Sequence, residues 1–148
     1  MTPVVSVVIC TFNRADALRQ ALARLREQTA SPDTYEVIVV DNNSSDDTPA
    51  VIAQAAQLAP VRSVREPIQG LSFARNHGVR ISRGEVVAFT DDDVCVAADW
   101  IETICRVAAE RSDIAWFGGR VLPVWPAAPP AWLGPAFWPP LALLDFGP

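Results

Sequence analysis

The chain has 148 residues, 50% of them hydrophobic and 20% charged, which is globular composition with enough length to bury the core of one domain. The net charge is −5 and all 12 basic residues are Arg, with no basic run, so the pattern argues against a nucleic-acid partner. An anionic ligand would need a metal ion or local Arg residues on so acidic a chain. The three cysteines, Cys10, Cys95 and Cys105, form no CxxC pair and read as buried free thiols of a reducing compartment. No basic n-region or long apolar run marks a signal peptide or a membrane span, and the expected location is the cytoplasm.

In chain order, residues 4–10 (VVSVVIC) form a short, continuous β-branched run, as expected of a strand covered on both faces. Residues 15–28 follow with Leu18, Leu22 and Leu25 on one helical stripe. Residues 35–40 (YEVIVV) predict a second strand. In the helical stretch 44–58, Asp47 or Thr48 suits the N-cap and Pro49 the first turn. Residues 61–65 are a weak third strand. Residues 71–82 predict a helix broken at Gly84 before a strand over 85–90, and the D-x-x-E spacing of Asp99 and Glu102 opens a helix into 100–110. Residues 114–121 predict a last strand, weakened by Gly118 and Gly119. Strands alternating with helices over short connections imply an α/β fold, a three-layer sandwich on a mainly parallel sheet.

The composition changes near residue 120. Residues 121–144 carry no charge, and residues 122–148 hold eight of the 13 prolines and three of the five tryptophans. Proline at that density excludes a transmembrane helix and a regular core strand. The expected organisation is a core over 1–120 and a Pro/Trp-rich segment over 121–148, which packs on protein outside the chain, pairs with a second copy, or touches a membrane surface peripherally.

Ligands of open α/β sheets bind beyond the carboxyl ends of the strands. Three polar sets fall there if the strands are parallel: Thr11, Asn13 and Arg14; Asp41, Asn42, Asn43, Ser44 and Ser45; and Asp91, Asp92 and Asp93. Each alone reads as turn or cap chemistry. The three adjacent carboxylates, set at the end of a buried strand, need a cation to be tolerated. Hard oxygen donors suit Mg²⁺ or Mn²⁺, and Asp91 and Asp93 would supply them if both face the ligand, with a diphosphate completing the shell. The alternative is a solvated acidic turn. Asp41 suits a ribose hydroxyl or base N–H, or else caps the turn that follows it. Arg14 and Arg75 are candidate phosphate partners, and the lone His77 has no assigned role. No GxGxxG, P-loop or G-x-S-x-G motif occurs.

These pieces resemble the inverting, family 2 glycosyltransferases of the GT-A fold. The matching segments are VSVVICTFNR (5–14), VIVVDNNSSDDT (37–48) and GLSFARNHGVRISRGEVVAFTDDDV (70–94), followed by the helix start at Trp100, in the family's order and spacing. The resemblance implies a nucleotide-diphospho-sugar donor, a divalent cation, and a saccharide, lipid-linked or other hydroxyl acceptor. By the resemblance, Thr11, Asn13 and Arg14 lie beside the nucleotide, Asp41 with Asn43 meets the base, and Arg75 and Asn76 lie near the donor. Asp91 and Asp92 lie near the ribose and diphosphate, and Asp93, with Asp91, ligates the metal. The family's general base lies well downstream, and Asp145, the sole carboxylate after Asp113, matches no such motif. The chain therefore reads as the N-terminal donor-binding part of such an enzyme, with a non-catalytic binding or interaction module as the alternative. An aspartate-based phosphotransfer protein is a third reading, disfavoured by the lack of any Lys.

Overall fold

The computed structural model describes residues 2–57, 60–125, 127–134, 137 and 140. The β-branched runs form strands and the periodic stretches form helices. In order these are β1 (Val5–Thr11), α1 (Ala15–Arg26), a 3-10 turn (Pro32–Thr34), β2 (Tyr35–Asp41), α2 (Thr48–Ala55), β3 (Val61–Arg65), α3 (Leu71–Ile81), β4 (Val86–Asp91) and α4 (Trp100–Glu110). The chain forms two compact units, Met1–Arg111 and Ser112–Pro148. No helix of the described residues is long and apolar enough to cross a membrane.

The four strands make one wholly parallel sheet in the order β3-β2-β1-β4. Parallel sheets need both faces covered, and two apolar clusters do this. Alternation along each strand sends Val5, Val7, Ile9, Val37 and Val39 to one face, where Leu18, Leu22 and Leu25 of α1, Val51 and Ile52 of α2, and Ile101 and Ile104 of α4 cover them. Val8, Ile38 and Val40 point to the other face, under Ala74 of α3. The result is the expected three-layer sandwich. Gly78 lets α3 lie close on the sheet, because a Cβ there would stand 2.4 Å from Val8 Cγ1.

A polar staple closes the amino-terminal edge of the sheet. Ser6 Oγ donates to Glu36 Oε1 (2.7 Å), and the N–H groups of Arg83 and Gly84 donate back to Ser6 Oγ (3.1 and 2.8 Å). Arg62 Nε donates to Glu36 Oε2 at 2.7 Å. Burial alone would raise the Glu36 carboxyl. The Arg62 guanidinium, the Ser6 hydroxyl and the Arg83 N–H together outweigh it and hold the group below its usual range.

Four local expectations are corrected. Neither Asp47 nor Thr48 caps α2 with its side chain; Asp46 Oδ1 accepts the Thr48 N–H at 3.0 Å instead. Asp99 and Glu102 form no capping box at α4. Glu102 Oε2 accepts from Thr29 Oγ1, and the Ile101 N–H is satisfied by Gln28 Oε1 at 2.9 Å, so a distant side chain does the capping. Residues 114–120 form no strand, and only Val121 sits in an isolated bridge. A Cβ at Gly118 or Gly119 would meet nothing and Trp116 is 86% exposed, so no facing surface rewards pleated pairing there. The thiols are not all buried: Cys10 and Cys105 are half-buried and Cys95 is exposed. Within the Pro/Trp-rich segment, residues 126, 135, 136, 138, 139 and 141–148, including Asp145, lie outside the described residues.

Candidate functional site

The strand order locates the site. The chain runs outward from β1 through β2 to β3, then returns to place β4 on the other side of β1. The reversal leaves a crevice at the carboxyl ends of β1 and β4, where ligands of such sheets bind. A cleft of about 600 Å³ opens there. It is lined by Cys10, Thr11, Phe12 and Arg14 at and beyond the end of β1, Asn42 after β2, Gln69, Gly70, Leu71, Ala74 and Arg75 at the start of α3, and Asp91, Asp92 and Asp93 at and beyond the end of β4.

The aspartate triplet divides its labour by alternation. Asp92 is 5% exposed and turns back toward β1, where its Oδ2 accepts from Thr11 Oγ1 at 2.7 Å. Its Oδ1 accepts from Arg14 Nη1 at 3.2 Å. The same guanidinium nitrogen reaches Asp93 Oδ2 at 2.7 Å. Asp91 Oδ1 takes Arg75 Nη2 at 3.4 Å, and the Arg75 guanidinium stands 5.8 Å over the Phe89 ring. Two arginines and one hydroxyl thus neutralise the repulsion of three adjacent carboxylates. The bond to Asp93 and then that to Asp92 raise the Arg14 pKa. Burial pushes the Cys10 thiol up to about 11; Arg75 opposes that shift, while Asp91 and Asp92 add to it.

Six of the candidate residues therefore converge on the cleft: Thr11, Arg14, Arg75, Asp91, Asp92 and Asp93. Four do not line it. Asn13, at φ 52, stitches the loops after β1 and β2 together, its N–H donating to Ser44 Oγ (3.0 Å) and its Oδ1 accepting the Ser45 N–H (2.7 Å). Asp41 is 7% exposed and its Oδ1 accepts the Ser44 N–H at 2.9 Å, the turn-capping alternative of its sequence reading. Asn43, at φ 70, accepts from Arg65 Nη2. Asn76 is an exposed residue of α3. Asn is the side chain that best tolerates the left-handed backbone found at positions 13 and 43.

Gly70 and Cys10 line the cleft although neither was among the candidate residues of the sequence, and Asn42 is the one residue of the polar set after β2 that reaches it. Strand alternation could have placed Cys10 and Asn42 there, since Cys10 follows Val8, and Asn42 follows Ile38 and Val40, on the α3 face. Gly70 adopts φ 142 and ψ 132, a conformation open only to glycine, which lets the chain turn from β3 into α3 at the cleft wall.

The profile of Glycosyl transferase family 2 matches residues 6–122. Glycosyltransferase AglE of Haloferax volcanii is 34% identical over 122 residues, covering 80% of this chain and 40% of AglE. The glucosyl-dolichyl phosphate glucuronosyltransferase of the same organism is 28% identical over 137 residues, covering 90% of this chain and 43% of that enzyme. Among solved structures, a mannosyltransferase of Pyrobaculum calidifontis, in complex with GDP-Man and Mn²⁺, superposes with a TM-score of 0.67 at 32% identity over 74% of this chain and 33% of that one. The chain spans less than half the length of each of these relatives. The family match covers most of the chain, and the protein belongs to glycosyl transferase family 2.

Proposed function

We propose that the cleft binds the nucleotide-diphosphate portion of a sugar-nucleotide donor, and that the protein transfers the sugar with inversion to a hydroxyl of a saccharide or lipid-linked acceptor. The observation that carries this reading is the convergence of Thr11, Arg14, Arg75 and the aspartate triplet on one cleft at the switch point of the sheet. The P. calidifontis mannosyltransferase, similar in fold and sequence, was solved with GDP-Man and Mn²⁺, which supports a donor and ion of that chemical class.

A divalent ion fits the residues present. The side chains of Asp91 and Asp93 are 62% and 56% exposed at the cleft, while that of Asp92 is committed to Thr11. No group of three or more ligating side chains stands ready among the described residues. An ion such as Mg²⁺ or Mn²⁺ takes one or two protein carboxylates and completes its shell with substrate oxygens and water, a demand that Asp91 and Asp93 can meet. Asp93 and Asp91 would hold it, and its chemistry is to neutralise charge on the departing diphosphate. The protein's own part is to place cations. Arg14 and Arg75, half-exposed and resting on carboxylates, have the planar fork that pairs with phosphate oxygens. Asp92 keeps the β4 turn latched to β1. Asp41, paired in register with Thr11, belongs to the base end of the nucleotide in this reading, with Asn13 and Asn43 shaping that loop and Asn76 outside it. The protein works on the cytoplasmic side, and the uncharged 121–144 segment, with Trp132 and Val124 exposed, contacts a membrane surface or a second copy.

Calorimetric titration with UDP and with GDP, with and without Mn²⁺, tests the reading. Nucleotide binding should require the ion and weaken at least about tenfold in Asp93→Ala, the scale of one lost charge-assisted ligand. Binding indifferent to both the ion and Asp93 would overturn it.

A further inference from the structure

The cleft wall that carries Arg75 rests on a polar unit with no part in the reading above. Glu66 follows β3, is 6% exposed, and donates its N–H to the Asp41 carbonyl at 2.9 Å. Its Oε1 accepts the Ile68 N–H at 2.8 Å, and its Oε2 lies 2.9 Å from His77 Nδ1 on α3. Asn42 clamps the same loop from the end of β2. Its Nδ2 donates to the carbonyls of Glu66 (3.1 Å) and Ile68 (2.8 Å), and its Oδ1 accepts the Gly70 N–H (2.8 Å). Three of the four hydrogen-bonding directions of one buried amide are thus spent on the five residues that lead into α3. Buried polar groups so fully paired fix one geometry, because each lost partner leaves a desolvated group behind.

What that geometry fixes is the start of α3. Gly70 opens the helix, Ala74 sits fully buried on the sheet, and Arg75 follows it toward Asp91. His77 is two residues further along the same rigid helix. Its tie to Glu66 therefore sets the rotation of α3 about its axis, while Asn42 sets how far the helix start reaches over the cleft.

We propose that Asn42, Glu66 and His77 are positioning residues that hold Arg75 at the height where its guanidinium meets the diphosphate of the donor, and so set nucleotide affinity. The proposal rests on the donor-cleft reading above. The unit touches no ligand itself and acts through Arg75. Arg80 and His77 are the charged or titratable groups that face Glu66 from α3.

The test compares His77→Leu, His77→Gln, Arg75→Ala and the His77→Leu/Arg75→Ala double variant, reading Mn²⁺·UDP and Mn²⁺·GDP affinity by calorimetry beside thermal unfolding. His77→Leu should lower affinity about tenfold, the effect of misplacing one charge-assisted contact. His77→Gln, whose amide can still donate to Glu66, should restore affinity to within about twofold. In the Arg75→Ala background His77→Leu should add nothing, because the residue it acts through is gone. A purely structural role would give a loss that adds to that of Arg75→Ala and follows the fall in melting temperature. Should His77→Leu fail to fold, His77→Ala, which leaves no donor for Glu66, replaces it with the same expectations. Unchanged affinity in His77→Leu, or an additive loss, would overturn the proposal while leaving the donor cleft intact. Arg75→Ala without effect, or a wild-type chain that binds neither nucleotide, would overturn the donor-cleft reading and the proposal with it.

Discussion

Replacing Gly78 by alanine would drive a methyl carbon to 2.4 Å from Val8 Cγ1 and 3.3 Å from Val40 Cγ2. Carbon atoms rest about 3.5–4.0 Å apart, so α3 would have to lift from the sheet by about 1 Å. Neither neighbour can yield, because both valines are fully buried in the centre of the sheet and β-branched side chains are stiff at χ1. Overpacking of this kind costs about 1–3 kcal/mol, whereas Gly→Ala inside a helix contributes about 1 kcal/mol of propensity. A clash between backbone-anchored groups belongs at the upper end, leaving a net loss of about 2 kcal/mol. For a unit the size of Met1–Arg111 that lowers the melting temperature by roughly 8 °C. Circular dichroism on heating measures it directly. A Val8→Ala partner sharpens the test, since removing the obstructing methyls should make the double variant more stable than the two single losses predict, by at least about 1 kcal/mol. A Gly78→Ala protein that melts at or above the wild-type temperature would refute the close approach of α3 and β1.

Three further outcomes follow from other parts of the molecule. Glu36 is held below its ordinary value of 4.5, so its contribution to stability is complete above about pH 4.5 and is lost as the pH falls through the folded value; Glu36→Gln should flatten the acid limb of a urea-midpoint-versus-pH curve, and an unchanged limb would count against the staple. Asp92→Ala should cost about 1–3 kcal/mol by stranding the buried Thr11 hydroxyl, while exposed Asp93→Ala should cost under about 0.5 kcal/mol; equal urea midpoints would contradict the division of labour in the triplet. At pH 8 a thiol-titrating dye should label Cys95 quickly and Cys10 only on unfolding or as the pH nears 11, and rapid labelling of Cys10 in the folded state would contradict its burial.

The sheet and its helices were legible because burial on both faces forces continuous apolar runs such as VVSVVIC and YEVIVV, and because α1 must show Leu18, Leu22 and Leu25 on one side. The triplet's place after β4 was legible for the same reason. What the local sequence does not carry is partnership over distance. Arg14 reads as a loop cation, yet its acids lie 78 and 79 residues further on. The start of α4 shows a plausible capping box, but its N–H is taken by Gln28, 73 residues back, because the loop after α1 is held there by the Thr29 N–H on the Ala98 carbonyl. Asp41 shows the same dependence on partners: the sequence allows it either a ligand or a turn, and its Oδ1 accepts the Ser44 N–H at 2.9 Å. The strand predicted over 114–121 failed for a complementary reason: its apolar residues have the composition of a strand without a neighbouring surface to pair with.

The central position of β1 has a consequence for biosynthesis. β1 leaves the ribosome ahead of the three strands that join it in the sheet, yet one of its two edges waits for β4, and 81 residues separate Thr11 from its partner Asp92. At translation rates of about 5–20 residues per second, that edge stands open for roughly 4–16 s, with four valine and isoleucine side chains on the strand beside it. The earlier pairing with β2, locked by Ser6 on Glu36, covers the opposite edge well before. The nascent chain thus carries a half-built sheet whose exposed side is the very seam where the cleft will form, and a chaperone that shields the cleft seam would also guard the chain against sticking to its neighbours.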